Sequence, residues 1–332
     1  MRAFLPDTPT VTQRISGLLL VLFLAGCGGE SVAGISETSN EAPDASSASV
    51  SAAPAEESEG DAAEKSANRP ARELKRFGVT SHFGDLDTMV ERRVIRVLTV
   101  YGPGRYFLED GPRGTVQEYA DKLQKVVNEA FKTGLLTVQV AVIPVARDEL
   151  FPALESGYGD IVMAGTTITE ARREEVDFTN PVSKPLKELL ITGPSAAPLA
   201  SLADLAGKTV YVRLSSSYAE SIRDLSRDLV EQGKAAIRIE AVDESLEDED
   251  LIEMVNAGLL PWAVVDSYKP QMWREVFDRV TVREDLVLRE GARLGWALRP
   301  NSPKLKNFLN TFLQDNREGT LFGNIIRNRY IR

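Results

Sequence analysis

Two stretches about 100 residues apart share one layout, and it restricts the fold more than any other feature. In Glu155-Ser-Gly-Tyr-Gly-Asp-Ile-Val-Met-Ala-Gly165 a helix closes at Gly157, a short turn follows, and a buried strand delivers a polar loop. Asn256-Ala-Gly-Leu-Leu-Pro-Trp-Ala-Val-Val-Asp266 does the same, with Gly258 as the stop. Around each copy strands and helices alternate. Before the first come a helix at 86–93 and strands at 94–100 and 136–143, separated by a helix at 119–131. A helix at 148–155, a strand at 160–164, a helix opening at Thr169 and a strand at 186–192 complete that block. The pattern restarts with strands at 209–212, 236–242 and 262–265, and with helices at 217–232, 248–256 and 270–277. A strand at 293–298 and helices at 302–316 and 320–329 follow. Two such blocks predict an α/β chain of two lobes, each a mostly parallel sheet flanked by helices. The ligand cleft then lies between the lobes, at the carboxyl ends of the strands. Lobe 1 is expected over 85–191 and 292–332, and lobe 2 over 192–291.

What precedes the blocks is of another kind. Residues 15–25 are apolar apart from Ser16 and Gly17, too short a run to span about 30 Å of hydrocarbon, and Arg2 and Arg14 lie ahead of them. This reads as a secretory signal over 1–26. Leu24-Ala-Gly-Cys27 contains the single cysteine of the chain and resembles the lipobox of bacterial lipoproteins. That resemblance implies cleavage before Cys27 and acylation of its thiol and amine, giving the more than one acyl chain that stable anchoring takes. With Gly28 rather than Asp next in line, the outer membrane is the expected destination in a Gram-negative cell, on the periplasmic side. Residues 28–70 hold nine Ser, ten Ala, nine acids and two bases, with no aromatic residue. Such a stretch cannot bury enough apolar surface to offset its ordering entropy, so 27–84 is expected to be an acylated cysteine followed by a disordered tether.

The formal charge of −10 therefore falls mostly on the tether. No basic stripe appears in the rest, which argues against nucleic acid as a partner. One Cys and one His, His82, leave no disulfide within the chain and no zinc module, and no cofactor is expected. The acidic run at 244–250 has neither the spacing nor the glycine of an EF-hand, so no metal is expected there.

The loops after the two repeated strands carry the candidate binding groups. Thr166, Thr167, Thr169 and Arg172 follow the first. With Thr169 as N-cap and Arg172 in the first helical turn, hydroxyls, a helix start and a guanidinium fork suit a carboxylate. Arg213 and Ser215, Ser216 and Ser217 repeat the idea at the start of the helix at 217–232. Asp266, at the end of an apolar strand, offers the opposite charge, as an ammonium group requires.

Gly159-Asp-Ile-Val-Met-Ala-Gly-Thr-Thr-Ile-Thr-Glu-Ala-Arg-Arg-Glu-Glu-Val-Asp-Phe-Thr-Asn-Pro181 resembles the signature of periplasmic solute-binding proteins of the polar amino-acid family, type 2 fold. Leu205-Ala-Gly-Lys-Thr-Val-Tyr-Val-Arg213 and Gly319-Thr-Leu321 keep the order of that family. Glu91-Arg-Arg-Val-Ile-Arg-Val97 and the segment 247–261 more narrowly resemble the solute-binding module of membrane-bound lytic transglycosylase F-like proteins. The resemblance implies that Arg172 clamps a ligand carboxylate with Thr167, and that Asp266 receives the ligand amine. It places Arg213 and Ser215 to Ser217 in the second-lobe binding loop, where three serines stand in place of a frequent glycine. Tyr106 or Phe107 is implied as an aromatic stacked on the ligand. The transglycosylase domain of such relatives has a Glu-Ser motif with a partner segment that this chain lacks, so no catalytic residue and no enzyme activity are expected. The implied role is capture of an amino-acid-like or small peptide ligand by lobe closure, for transport or sensing, beside an ABC permease or a cell-wall enzyme. Two other roles are a regulatory module for peptidoglycan turnover that recognises muropeptides, and, with less support, a solute-binding fold turned enzyme like the dehydratases related to the family.

Overall fold

The computed structural model describes residues 78–330. The signal, Cys27 and the tether up to residue 77 lie outside the described residues. The strap at 78–84, expected to belong to the tether, is already tied down. The His82 amide donates to the Gly157 carbonyl at 2.8 Å, and the Ser81 hydroxyl donates to the Ser156 carbonyl at 2.6 Å. Arg96 holds it from below, donating to the carbonyls of Thr80 and His82. That same guanidinium joins Arg92 and Arg299 on the fully buried Asp160. Burial pushes the Asp160 carboxyl up, but hydrogen bonds and charge from Arg96 and Arg92 outweigh it and hold its pKa below the ordinary value.

The first lobe is built on a five-stranded sheet. In it β1 (Val94–Thr99) lies between β4 (Gln139–Pro144) and β5 (Ile161–Thr167), parallel to both. The return strand β12 (Leu294–Leu298) pairs antiparallel with β5 and with the short β6 (Asp177–Phe178). The short strands β2 (Phe107–Leu108) and β3 (Pro112–Arg113) form a hairpin beside this sheet. Side chains of β1 alternate between two apolar layers, as a strand buried on both faces must. Ile95 and Val97 pack on α1 (Leu86–Glu91), α2 (Thr115–Phe131) and α8 (Pro303–Asn316) through Met89, Leu123 and Leu309. Leu98 and Val100 pack on α3 (Leu150–Glu155) through Leu150 and Leu154. The last helix, α9 (Leu321–Tyr330), seats Tyr330 on Glu118 of α2.

The second lobe differs from the expected parallel sheet. Its centre is β7 (Leu186–Thr192), flanked by β10 (Trp262–Asp266) and β11 (Thr281–Ala292), and all pairings are antiparallel. Parallel pairing is confined to β8 (Thr209–Val212) with β9 (Arg238–Ala241). For β7 and β11 the reason is that the chain enters the lobe just before β7 and leaves it just after β11, so the two run in opposite senses. Strand β11 was not expected at all. Its sequence carries Arg283, Glu284, Asp285, Arg289 and Glu290, and its register shifts three times. Because all of β7 pairs within this lobe, the first crossing falls ahead of Leu186 rather than at 191. The two faces are covered by α5 (Ser217–Glu231), through Ile222 and Leu229, and by α6 (Asp248–Ala257), through Leu251 and Val255. The remaining short helices are α4 (Glu170–Glu175) and α7 (Lys269–Trp273). No described helix is long and apolar enough to cross a membrane.

Candidate functional site

The carboxyl end of β5, the start of α5 and the end of β10 meet around a cavity of about 60 Å3. At about 15 Å3 for each water-sized group it holds roughly four. Thr167, Arg172, Arg213, Ser215, Ser216, Ser217 and Asp266 all line it, so the structure brings together seven of the eight expected binding residues.

Arg172 is placed by local structure. Thr169 caps α4 by accepting from the Arg172 amide at 3.3 Å, which turns the Arg172 side chain back over the end of β5. Its guanidinium donates to the Thr167 carbonyl and, across the cleft, to the Ser215 carbonyl, each at 2.8 Å. The Phe151 ring lies 5.6 Å beneath it. Burial lowers the Arg172 pKa, with the Glu220 carboxylate opposing.

The three serines divide their tasks. Ser216 caps α5, accepting from the Ala219 amide at 3.2 Å. Ser215 donates its amide and its hydroxyl to Glu244. The Ser217 hydroxyl lies 3.1 Å from that of Thr167 in the other lobe, and 2.7 Å from the buried Glu188 carboxylate to which it donates. Arg213 is turned into its own lobe, donating to the Leu246 carbonyl at 2.6 Å and pairing with Asp248. Burial lowers its pKa, but the Asp248 charge prevails and raises it. Its buried Nε–H has no partner among the described residues.

Asp266 carries the exposed need of the site. Its amide donates to the Tyr218 hydroxyl at 3.0 Å, and that hydroxyl donates to Asp248 at 3.0 Å. Its Oδ1 is buried and accepts no hydrogen bond among the described residues. Burial first, then the Asp248 and Glu188 carboxylates, push the Asp266 pKa up to about 7. An unpartnered buried acceptor costs about 1–3 kcal/mol, which a ligand cation would recover.

Tyr106 is the expectation that fails. Its side chain packs into the first-lobe core, 5.6 Å from the ring of Tyr101, and does not reach the cavity. Phe107 packs on Tyr330 instead. Aromatic lining comes from Phe151, Tyr218 and Tyr268. The cavity also holds Arg105, Arg147 and Lys269, none of them expected. Arg105 lay one residue from Tyr106, in a loop at the carboxyl end of β1, which is the signal that points to it. Arg147 forms a two-point ion pair with Glu247 of the second lobe, its Nε at 2.8 Å, and Lys269 pairs with Glu249. Among the described residues no group of three or more His, Cys, Asp or Glu is arranged to hold a metal.

Two α/β lobes joined by two short crossovers, with capped helix starts and strand ends around an interlobe cavity, define the type 2 periplasmic-binding-protein-like class. The chain belongs to family 3 of the bacterial extracellular solute-binding proteins, which residues 95–330 match. It is similar to the membrane-bound lytic murein transglycosylase F of Shewanella pealeana, 29% identical over 67% of this chain and 43% of that protein. For the namesake in Desulfosudis oleivorans the figures are 27%, 71% and 48%. The chain thus spans less than half the length of these relatives. Among solved structures, an ancestral arginine-binding protein bound to arginine matches at a TM-score of 0.56, with 23% identity over 73% of this chain and 99% of that one. A binding component of an ABC transporter from Wolinella succinogenes, complexed with lysine, matches at 0.57, with 19% identity over 72% and 96%.

Proposed function

We propose that this chain is a lipid-anchored, extracytoplasmic receptor that closes its lobes on an amino-acid-like or small peptide ligand without transforming it. One observation carries the reading: the buried, unpartnered Oδ1 of Asp266 shares a cavity with the Arg172 guanidinium. An acceptor for an ammonium group and a donor fork for a carboxylate are what an α-amino acid head presents in reverse. The ligands named with the solved neighbours, arginine and lysine, are of the same chemical class. Thr167 and Ser217, one from each lobe, then close over the head group, and Ser215 and Ser216 hold the α5 start in place. Anchoring through Cys27 follows from the lipobox-like segment; Cys27→Ser should move the protein from the membrane to the soluble fraction.

The likeness to transglycosylase F supports a second reading, a regulatory module for peptidoglycan turnover that recognises muropeptides. In the first reading the partner is an ABC permease or a signalling protein, in the second a cell-wall enzyme. Calorimetry of the full chain with free amino acids and with muropeptides separates them. Binding of free amino acids supports the receptor, whereas binding of muropeptides alone would sink it in favour of the cell-wall module.

A further inference from the structure

A second cavity, of about 640 Å3, adjoins the first and shares Arg105, Gly165 and Tyr268 with it. Its wall is apolar on the first-lobe side, where Val116, Met163, Trp296, Leu313 and Ile326 line it, and Met272 faces from the second lobe. Its charged lining is unbalanced. Lys184 and Arg327 share Glu318, at 3.7 and 3.6 Å. Arg105, Arg274 and Arg317 also line it, and none of their side chains has a hydrogen bond or ion pair with a described residue.

Arg105 lies at the junction by construction. Gly165 has φ +63°, and a Cβ there would stand 2.5 Å from an Arg105 guanidinium nitrogen. Only the bare backbone of a glycine lets the guanidinium lie against β5 at the point where the cavities meet. The first cavity has room for a head group and no more, so the rest of any larger ligand must leave past Arg105 and Tyr268.

We propose that the second cavity receives an apolar arm that ends in a carboxylate, carried on an amino-acid head held by Arg172 and Asp266. This rests on the amino-acid reading above and adds to it the class of ligand: an amino acid extended through its side chain and anionic at the far end. The apolar wall removes the body of the arm from water, and Arg274 and Arg317, beyond the junction that Arg105 marks, take its terminal charge. Arg274 and Arg317 are exposed, so they favour an anionic end without requiring one, and a short acidic side chain leaves the apolar wall wet.

The test is calorimetry on the full chain with three probes: L-glutamine, γ-L-glutamyl-L-phenylalanine, and the C-terminal amide of that dipeptide. All three present the same head, and only the second has both the apolar arm and the terminal carboxylate. The dipeptide should bind at least tenfold tighter than L-glutamine, and the amide should lose most of that gain. In the R274E/R317E variant, whose fold is checked by circular dichroism, the gap between dipeptide and amide should shrink below twofold. Equal affinity for L-glutamine and the dipeptide would overturn the arm site and leave the amino-acid reading standing. A dipeptide advantage untouched by both the amide and the variant would overturn the role of the arginines. Failure of every probe to bind would overturn the arm site, and failure of L-arginine and L-lysine as well would overturn the amino-acid reading with it.

Discussion

The Arg172 guanidinium, rooted in the first lobe, donates to the backbone carbonyl of Ser215 in the second at 2.8 Å. The residue proposed to offer a fork to a carboxylate is thus also a fastener between the lobes when it contacts protein alone. A ligand carboxylate is a stronger acceptor than a carbonyl, so exchange of one for the other can leave the lobes closed while the bond partner changes.

Arg172→Ala should therefore weaken a carboxylate ligand by about tenfold to a hundredfold, the range of a lost charge-assisted hydrogen bond. Arg172→Lys should recover only part, because a point charge cannot reproduce a two-pronged contact. Calorimetry with an amino acid that binds the unaltered protein reads both. Unchanged affinity in Arg172→Ala would show that the clamp lies elsewhere.

Binding should depend on pH through Asp266, whose pKa stands at about 7 without ligand. A ligand ammonium group favours the ionised carboxylate, so binding releases a proton wherever Asp266 is still protonated. Affinity should rise from pH 5.5 towards 7, by about tenfold per unit at most, and level off above that. Asp266→Asn should bind weakly and flatten the profile. For folding the sense is reversed. An unfolded Asp titrates near about 3.9, so between there and 7 the folded state keeps a proton that the unfolded state has lost, and stability declines as pH rises through that window.

The Arg147–Glu247 pair joins the lobes at the edge of the same cavity. Burial raises the Glu247 pKa, but Arg147 outweighs it and holds the carboxyl below its ordinary value. Glu247→Gln should shift the ligand-free protein towards an open arrangement, seen as a larger radius of gyration in solution scattering. A double-mutant cycle with Arg147→Ala should give a coupling of about 0.5–3 kcal/mol in thermal stability. Additive single effects would mean the pair contributes nothing across the cleft.

Gly165→Ala should cost about 1 kcal/mol or more, because it forces a methyl into a left-handed backbone and against Arg105. For a folded part of this size that lowers Tm by about 2–4 °C. A melting curve checks the direction; a stabilised variant would contradict the strain expected of a side chain at φ +63°.

Much of the site was legible because its signals are local. A threonine before a helix, serines at a helix start and an aspartate ending an apolar strand each declare their place within a few residues of sequence. Arg172, Thr167, Ser217 and Asp266, read in this way, all line the same cavity. What escaped depends on contacts between distant segments: Arg147 with Glu247, Lys269 with Glu249, and Glu188 beneath Ser217 and Ser221. Tyr106 misled for the opposite reason, since an aromatic next to a cleft loop reads the same whether it faces ligand or core. Strand β11 was hidden by its charges, which a strand with a solvent-facing side tolerates but a hydrophobic pattern does not reveal. Its antiparallel return could not be inferred from the repeated layout either, because the crossings fall outside both copies.

The strap at 78–84 decides how mechanical load enters the molecule. It is stitched to the first lobe at Gly157, Ser156 and Arg96, and among the described residues it has no hydrogen bond to the second lobe. A pull that reaches residue 78 is passed to the first-lobe sheet through the Arg96–Asp160 cluster, where one guanidinium holds both the strap and the carboxylate between strands.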